Sequence, residues 1–244
     1  MRISQSLIVA SKDLLVVRRT RNIIYSVFVV PFVVSLLFPF VIQYIERKGT
    51  DAAALSYLLP SFNFFFMILA GMIPSAIASY SIVGEKVEKS IEPLLATPTT
   101  DGEILLGKGI AAVVPPLAAI LAASVVFMGL TDAVTVGRMG YYYFPNWNSA
   151  IVFFLMVPLA TVMSIEWGVL ISSRVSDVRI AQQLGTLLVL PFAGIYVGGE
   201  LQIVQLGDTW TLLVISGALA LVDFALLYVV RAAFRREEIL TKWK

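Results

Sequence analysis

The 244 residues are 59% hydrophobic and 14% charged, with mean hydropathy +0.88 and net charge +2; a soluble domain is nearer a quarter charged, so this is the composition of a membrane protein. The chain has no cysteine and no histidine. Disulfides, thiolate nucleophiles, Cys-ligated metals, zincin motifs and Ser-His-Asp triads are therefore excluded, which argues against a membrane enzyme.

The first twenty residues carry Arg2, Lys12, Arg18 and Arg19. The apolar block behind them is of full-span length and has no convincing small-residue cleavage site, so it is expected to stay as a span. Ile3, Leu7, Leu14 and Leu15 fall roughly on one helical face, with Gln5, Lys12, Asp13 and Arg19 elsewhere. That pattern predicts an amphipathic helix within 1–22 lying on the membrane surface.

Six apolar runs follow, each about the twenty residues a helix needs to cross a bilayer. They lie near Ile23 to Ile45, Tyr57 to Val83, Gly109 to Leu130, Ala150 to Ser172, Ile180 to Gly198 and Trp210 to Val230. Pro31, Pro39, Pro60, Pro74, Pro115, Pro116, Pro158 and Pro191 sit inside these runs; each removes a backbone donor and can kink its helix, and kinked helices can line a pathway. Ala118 with Ala122, Ala119 with Ala123, and Gly194 with Gly198 form small-xxx-small pairs that let helices approach closely. The tract from Gly194 to Gly207 mixes glycine with Glu200, Gln202 and Gln205, and a break of the fifth span is expected there.

An even number of spans puts both termini on one side, and basic residues choose that side. Fifteen of the 18 basic residues fall in the N-terminal segment, at 84–108, at Arg174 and Arg179, and from Arg231 onward; the opposite face has only Arg47, Lys48 and Arg138. Both termini and the loops near 90 and 175 are thus expected to be cytoplasmic. The outer loop from Thr131 to Ser149 carries Tyr141, Tyr142, Tyr143, Phe144 and Trp147, rings that suit an anchor at the membrane-water interface.

Between the second and third runs, 84–103 reads as a structured loop. Glu85 and Lys89 pair at i, i+4 in a short charged helix, Thr97-Pro98 ends it, and Thr100 with Glu103 forms a capping box opening the third span. Leu94 and Leu95 beside the charges suit docking onto a cytosolic partner.

This stretch resembles the signature of ABC-2 type permeases of ABC transporters: an acidic-basic run, then Glu-x-Leu-Leu-x-Thr-Pro, then Gly-Lys opening the next span. Glu85, Lys86, Glu92, Leu94, Leu95, Thr97, Pro98, Gly107 and Lys108 match it. Arg174-Val175-Ser176-Asp177, followed by Ala181-Gln182-Gln183-Leu184 and Pro191, looks like the turn between the family's fourth and fifth spans. Lys89-Ser90 stands where the family often has Gly-Thr, and Val87 replaces a common acid.

The resemblance implies one ABC-2 transmembrane domain over 1–244. Its parts are a connecting helix at 1–22, spans at 23–83 and 104–230, a coupling loop at 84–103 and a basic tail at 231–244. It also implies a partner: a separate ATP-binding cassette subunit, holding ATP and Mg and gripping Glu85, Lys86, Glu88, Glu92, Leu94, Leu95, Thr97 and Pro98. A second permease chain, identical or related, would complete an exporter in a prokaryotic-type cytoplasmic membrane. This chain would itself bind no cofactor, metal or nucleic acid and catalyse nothing. Gly102 to Lys108 fits the start of a Walker A motif, but Gly109 stands where Ser or Thr belongs and the segment opens a membrane helix, so phosphate binding is not expected.

Two acids lie in the spans, where a charge is costly and commonly functional. Glu166 and Asp223 each precede a basic end, Arg174 and Arg231, by eight residues. At 1.5 Å per residue both sit roughly 12 Å from that end, at one depth. They are candidates for a translocation cavity; structural acids bonded to neighbouring helices are the alternative, with Ser164, Trp167, Asn63 and Gln43 as available partners. The alternative function is an ion-coupled secondary transporter or channel using the same two acids. No clear repeat relates the two halves, as such carriers commonly have. Lipids, drugs, ions and lipid-linked glycans all stay open as substrates.

Overall fold

The computed structural model describes residues 3–19, 21–49, 52–87, 100–175 and 177–233. Helix α1 (Ile3–Arg19) is followed by α2 (Arg21–Arg47), α3 (Ala52–Val87), α4 (Asp101–Met139), α5 (Trp147–Arg174), α6 (Val178–Thr186), α7 (Val189–Glu200) and α8 (Thr209–Ala233). No strand occurs among the described residues. Six stretches are long and apolar enough to cross a membrane: α2, α3, α4, α5, α6 with α7, and α8. The chain is an all-α polytopic protein, the form in which every backbone group is paired without water.

Helix α3 is central. Phe64, Phe66, Met67 and Ala70 on it have no exposed surface, whereas α2 and α8 turn Leu37, Phe40, Leu221, Phe224 and Tyr228 outward, as lipid-facing helices do. A chain of rings ties the centre together. Phe66 lies 5.3 Å from Phe127 of α4 and 5.5 Å from Phe153 of α5. Phe127 in turn meets Phe144 at 5.6 Å and Phe38 of α2 at 6.4 Å. The tilted and edge-on arrangements suit the ring quadrupoles. Gly71 makes a second junction: its carbonyl accepts the Ser164 hydroxyl of α5 at 2.7 Å, and a Cβ there would stand 2.5 Å from the Phe192 ring of α7.

Helix α4 corrects the expected end of the third span at Leu130 and the expected loop from Thr131. It runs unbroken to Met139, and Thr131, Asp132 and Thr135 are buried on it. At 1.5 Å per residue its 39 residues make about 58 Å, well beyond the roughly 30 Å hydrocarbon layer. The helix continues with Asp132 and Thr135 satisfied inside it. Asp132 accepts the backbone N–H groups of Tyr143 and Phe144 at 3.0 and 3.1 Å, and the Thr135 hydroxyl donates to the Thr131 carbonyl. It ends at Gly140, whose φ of +76° is the left-handed cap that glycine adopts without strain. At the other end the expected capping box is present: Glu103 N–H donates to Thr100 Oγ1 at 3.4 Å, and Thr100 N–H donates to Glu103 Oε2 at 2.9 Å.

The fifth span is interrupted at Leu187–Leu188, between α6 and α7, as well as ending at Glu200 inside the Gly194 to Gly207 tract where a break is expected. Pro191 has no N–H to offer the Leu187 carbonyl four residues back, and that carbonyl instead takes the Leu190 N–H in a tighter turn. The expected Gly194–Gly198 packing pair is absent: nothing lies within 4 Å of a Cβ at Gly194, and Gly198 faces Val204 of the following turn. Of the alanine pairs in α4, Ala119 and Ala123 are fully buried while Ala118 and Ala122 are exposed. Helix α5 contains one π turn, Val152–Met156, just ahead of Pro158, where a widened turn accommodates the proline ring.

Candidate functional site

The two intramembrane acids meet. Glu166 of α5 and Asp223 of α8 line one cleft of about 310 Å³, walled otherwise by Pro158, Leu159, Val162, Ala220, Phe224 and Leu227. Both residues are 8% exposed, and Glu166 lies within electrostatic range of Asp223 and Arg231. Each helix presents its acid because the apolar residues flanking it fill the same groove. Val162 and Glu166 are one turn apart on α5, as are Asp223 and Leu227 on α8.

Glu166 also forms part of a larger cavity of about 680 Å³ between α4, α5 and α8. Leu105, Leu106, Ile110, Val113, Val114, Ile165, Val169 and Val230 make most of its wall, with Gly102 and Arg231 at the helix ends. Val162, Glu166 and Leu227 belong to both spaces. Among the described residues, Glu166 Oε2 and both carboxylate oxygens of Asp223 have no hydrogen-bond partner. Buried polar atoms are nearly always paired, so three orphans at one point call for a ligand, a proton or a neighbouring chain.

The partners expected for a purely structural role are engaged elsewhere: Ser164 with Gly71, and Trp167, whose indole N–H donates to the Leu184 carbonyl at 3.1 Å. Asn63 is buried with its own Oδ1 unpartnered.

A second cavity, of about 690 Å³, lies at the end of the bundle where α7 turns back toward α8. Ser56, Tyr57, Ser61, Tyr141, Tyr143, Glu200, Gln202, Gln205 and Asp208 contribute to it. The segment 140–146 that roofs it is held by Asp132 and by the Asn146–Ser149 capping box. Asn148 laces this end to α8, donating to the Gly207 carbonyl and accepting from the Thr209 hydroxyl, both at 2.6 Å. Tyr143 is pushed up to about 12, by burial first and then by Tyr141. Tyr142 and Trp147 are exposed, as an interfacial aromatic anchor requires. Tyr141 and Tyr143 line the cavity instead, which the run of aromatics did not reveal.

Helix α1 packs on the start of α4. Ser6, Val9 and Ala10 are buried against it, a Cβ at Gly107 would lie 2.6 Å from the Ser6 carbonyl oxygen, and Lys108 Nζ reaches Asp13 Oδ2 at 3.3 Å. Leu7, Ile8 and Leu15 are exposed on another side. The amphipathic helix exists, but the face it gives the protein runs through Ser6, Val9, Ala10 and Asp13. Gly102 to Lys108 is helical throughout, which is not the phosphate-cradling loop of a Walker A motif. Glu85 and Lys86 lie in the last turn of α3, which runs unbroken to Val87 past the expected span end at Val83. Glu88, Glu92, Leu94, Leu95, Thr97 and Pro98 lie outside the described residues.

The matched family model, described as ABC-2 family transporter protein, covers residues 7–203, from α1 through the turn after α7. The chain belongs to the ABC-2 family. Over 80 residues, 32% of this chain, it is 42% identical to the ABC transporter permease protein NatB of Bacillus subtilis (strain 168), and the match covers 20% of that relative's length. This ABC-2 family protein is therefore a multi-pass membrane protein. Of the two acids, Glu166 on α5 falls inside the matched region and Asp223 on α8 lies beyond it.

Proposed function

We propose that this chain is the permease half of an exporter. A separate ATP-binding cassette subunit docks on the 84–100 loop, and a second permease chain, identical or related, completes the pathway in a prokaryotic cytoplasmic membrane. The observation that carries this reading is the family match spanning α1 to α7, supported by a charge asymmetry that favours a cytoplasmic loop and cytoplasmic termini. ATP and Mg belong to the partner subunit. ATP-driven closure of the partner moves the loop, and the loop leads directly into the capped first turn of α4. There Gly107 and Lys108 also hold α1, so a push on the loop acts on α1 and α4 together. The substrate path is assigned to the α4–α5–α8 cavity, with Glu166 in its wall, and to the adjoining cleft that Glu166 shares with Asp223.

The test is docking. The pair Leu94→Ala and Leu95→Ala removes the apolar anchor of the loop, a loss of a few kcal/mol if the two leucines are hot spots. This variant should insert and dimerise normally yet fail to capture its ATP-binding cassette partner and lose stimulated ATP hydrolysis. Tyr142→Ala at the opposite end should retain both. Unchanged capture and hydrolysis in the leucine variant would refute the loop as the coupling element.

A further inference from the structure

We infer that the substrate bound between α5 and α8 is an amphipathic organic cation, a molecule with one delocalised or ammonium charge on an apolar body. This deepens the permease reading and rests on it for the word substrate, but not for the binding itself. Three orphaned carboxylate oxygens belong to the cleft between α5 and α8, and Glu166, which carries one of them, also lines the larger cavity. Arg231 is the one basic group among the described residues lining either space, against two acids.

The surroundings decide between kinds of cation. A hard metal ion takes about six to eight oxygen ligands, and two carboxylates supply at most four oxygens. Around the acid pair the remaining side chains are Pro158, Leu159, Val162, Ala220, Phe224 and Leu227, none with an oxygen or nitrogen to complete a coordination shell. An organic cation needs only a counter-charge and apolar contact. A combined cleft of hundreds of Å³ accommodates a body with several rings or a short chain. An amphipathic anion would meet two acids instead of its counter-ion.

The cavity at the opposite end has the same preference by different means. Glu200 and Asp208 line it with the rings of Tyr57, Tyr141 and Tyr143, and no lysine or arginine is among its lining residues. Tyrosine faces attract cations through the ring quadrupole, and hydrogen bonds from Thr211 hold Asp208 below its ordinary range, keeping it charged. Two spaces at opposite ends of the bundle thus select the same sign of charge, greasy where the spans meet and wetter where the chain turns back.

The experiment measures binding of radiolabelled tetraphenylphosphonium to the purified full chain in lipid nanodiscs, with empty nanodiscs subtracted and no ATPase present. Saturable binding is expected. Glu166→Gln and Asp223→Asn should each raise Kd about tenfold or more, the size of one lost hydrogen-bonded charge contact. Val162→Phe narrows both cavities without touching a charge and should weaken binding comparably, with thermal unfolding reported for every variant. Tetraphenylborate, equal in shape and opposite in charge, should not compete.

No saturable binding, competition by tetraphenylborate, or a Kd unchanged in both a folded acid variant and Val162→Phe would overturn the inference. So would displacement by sodium chloride at a concentration where choline chloride has no effect, since that result marks an inorganic cation site. Failure here leaves ATPase capture by the 84–100 loop intact. Failure of capture in the leucine variant leaves cation binding intact, so the two readings fall separately.

Discussion

Lys108 Nζ lies 3.3 Å from Asp13 Oδ2, joining residues 95 apart in sequence, with the two side chains 4% and 16% exposed. The pair fixes α1 across the first turns of α4, immediately after the loop proposed to meet the ATPase. Lys12 Nζ also reaches Asp13 Oδ1 at 4.0 Å, so removing Lys108 or Asp13 costs the charged contact between α1 and α4, about 1.5–3 kcal/mol. Lys108→Met and Asp13→Leu should each lower the thermal midpoint in detergent, and the double variant should recover part of the loss. A double-mutant cycle on unfolding measures this. Additive losses would show that the ions contribute nothing to each other.

Gly107 stands where α1 packs tightly on α4. A methyl group there would meet the Ser6 carbonyl oxygen at 2.6 Å and Val9 Cβ at 2.7 Å, and backbone cannot yield as a flexible side-chain tip can. Gly107→Ala should destabilise by about 1–3 kcal/mol through overpacking and release α1. Gly129→Ala on the same helix has nothing within 4 Å and should be neutral or stabilising by about 0.5–1 kcal/mol. Thermal unfolding of the two variants, with protease cleavage after Arg18 or Arg19 as a readout of α1 release, separates the effects.

Tyr143 makes alkaline stability a test of the 140–146 segment. Burial raises its folded value from 10.0 to about 12, so the folded state holds the phenolic proton more tightly than the unfolded state. The associated stability is fully present below pH 10 and is lost as pH rises toward 12. Tyr143→Phe should flatten that alkaline decline, and tyrosinate absorbance should lose its latest-titrating step. Asp132→Ala removes the acceptor for the Tyr143 and Phe144 N–H groups. It should cost about 1–3 kcal/mol and bring the Tyr143 step to lower pH, because the segment then opens to water.

The absence of cysteine in the chain makes topology readable without background. A cysteine placed at Thr99 or Thr241 should be labelled from the cytosol, and one at Gly137 from outside. Gly137 is exposed near the end of α4 with nothing within 4 Å of a Cβ, so the probe displaces nothing. Labelling of position 137 only from the cytosolic face of sealed vesicles would refute the six-span orientation.

Composition, apolar run length and local pairing were enough to establish the membrane class, the number of spans, the capping box at Thr100 and the shared depth of Glu166 and Asp223. Each of these depends on residues within a few turns of one another or on a sum over the chain. Where α4 ends was not legible, because Thr131, Asp132 and Thr135 look like a loop until Asp132 is seen to accept N–H groups from the far side of Gly140. The break at Leu187–Leu188 and the idle Gly194 likewise depended on which neighbours were present. The sequence marked Gly107 and Lys108 as a motif, and only tertiary structure showed what they touch: a glycine signals close approach without naming the partner, and a lysine can pair with any acid in reach. For Glu166 and Asp223 the period of a helix gives depth along the axis but not rotation about it. Whether the two acids faced lipid, separate neighbours or each other was decided by how α5 packs on α8.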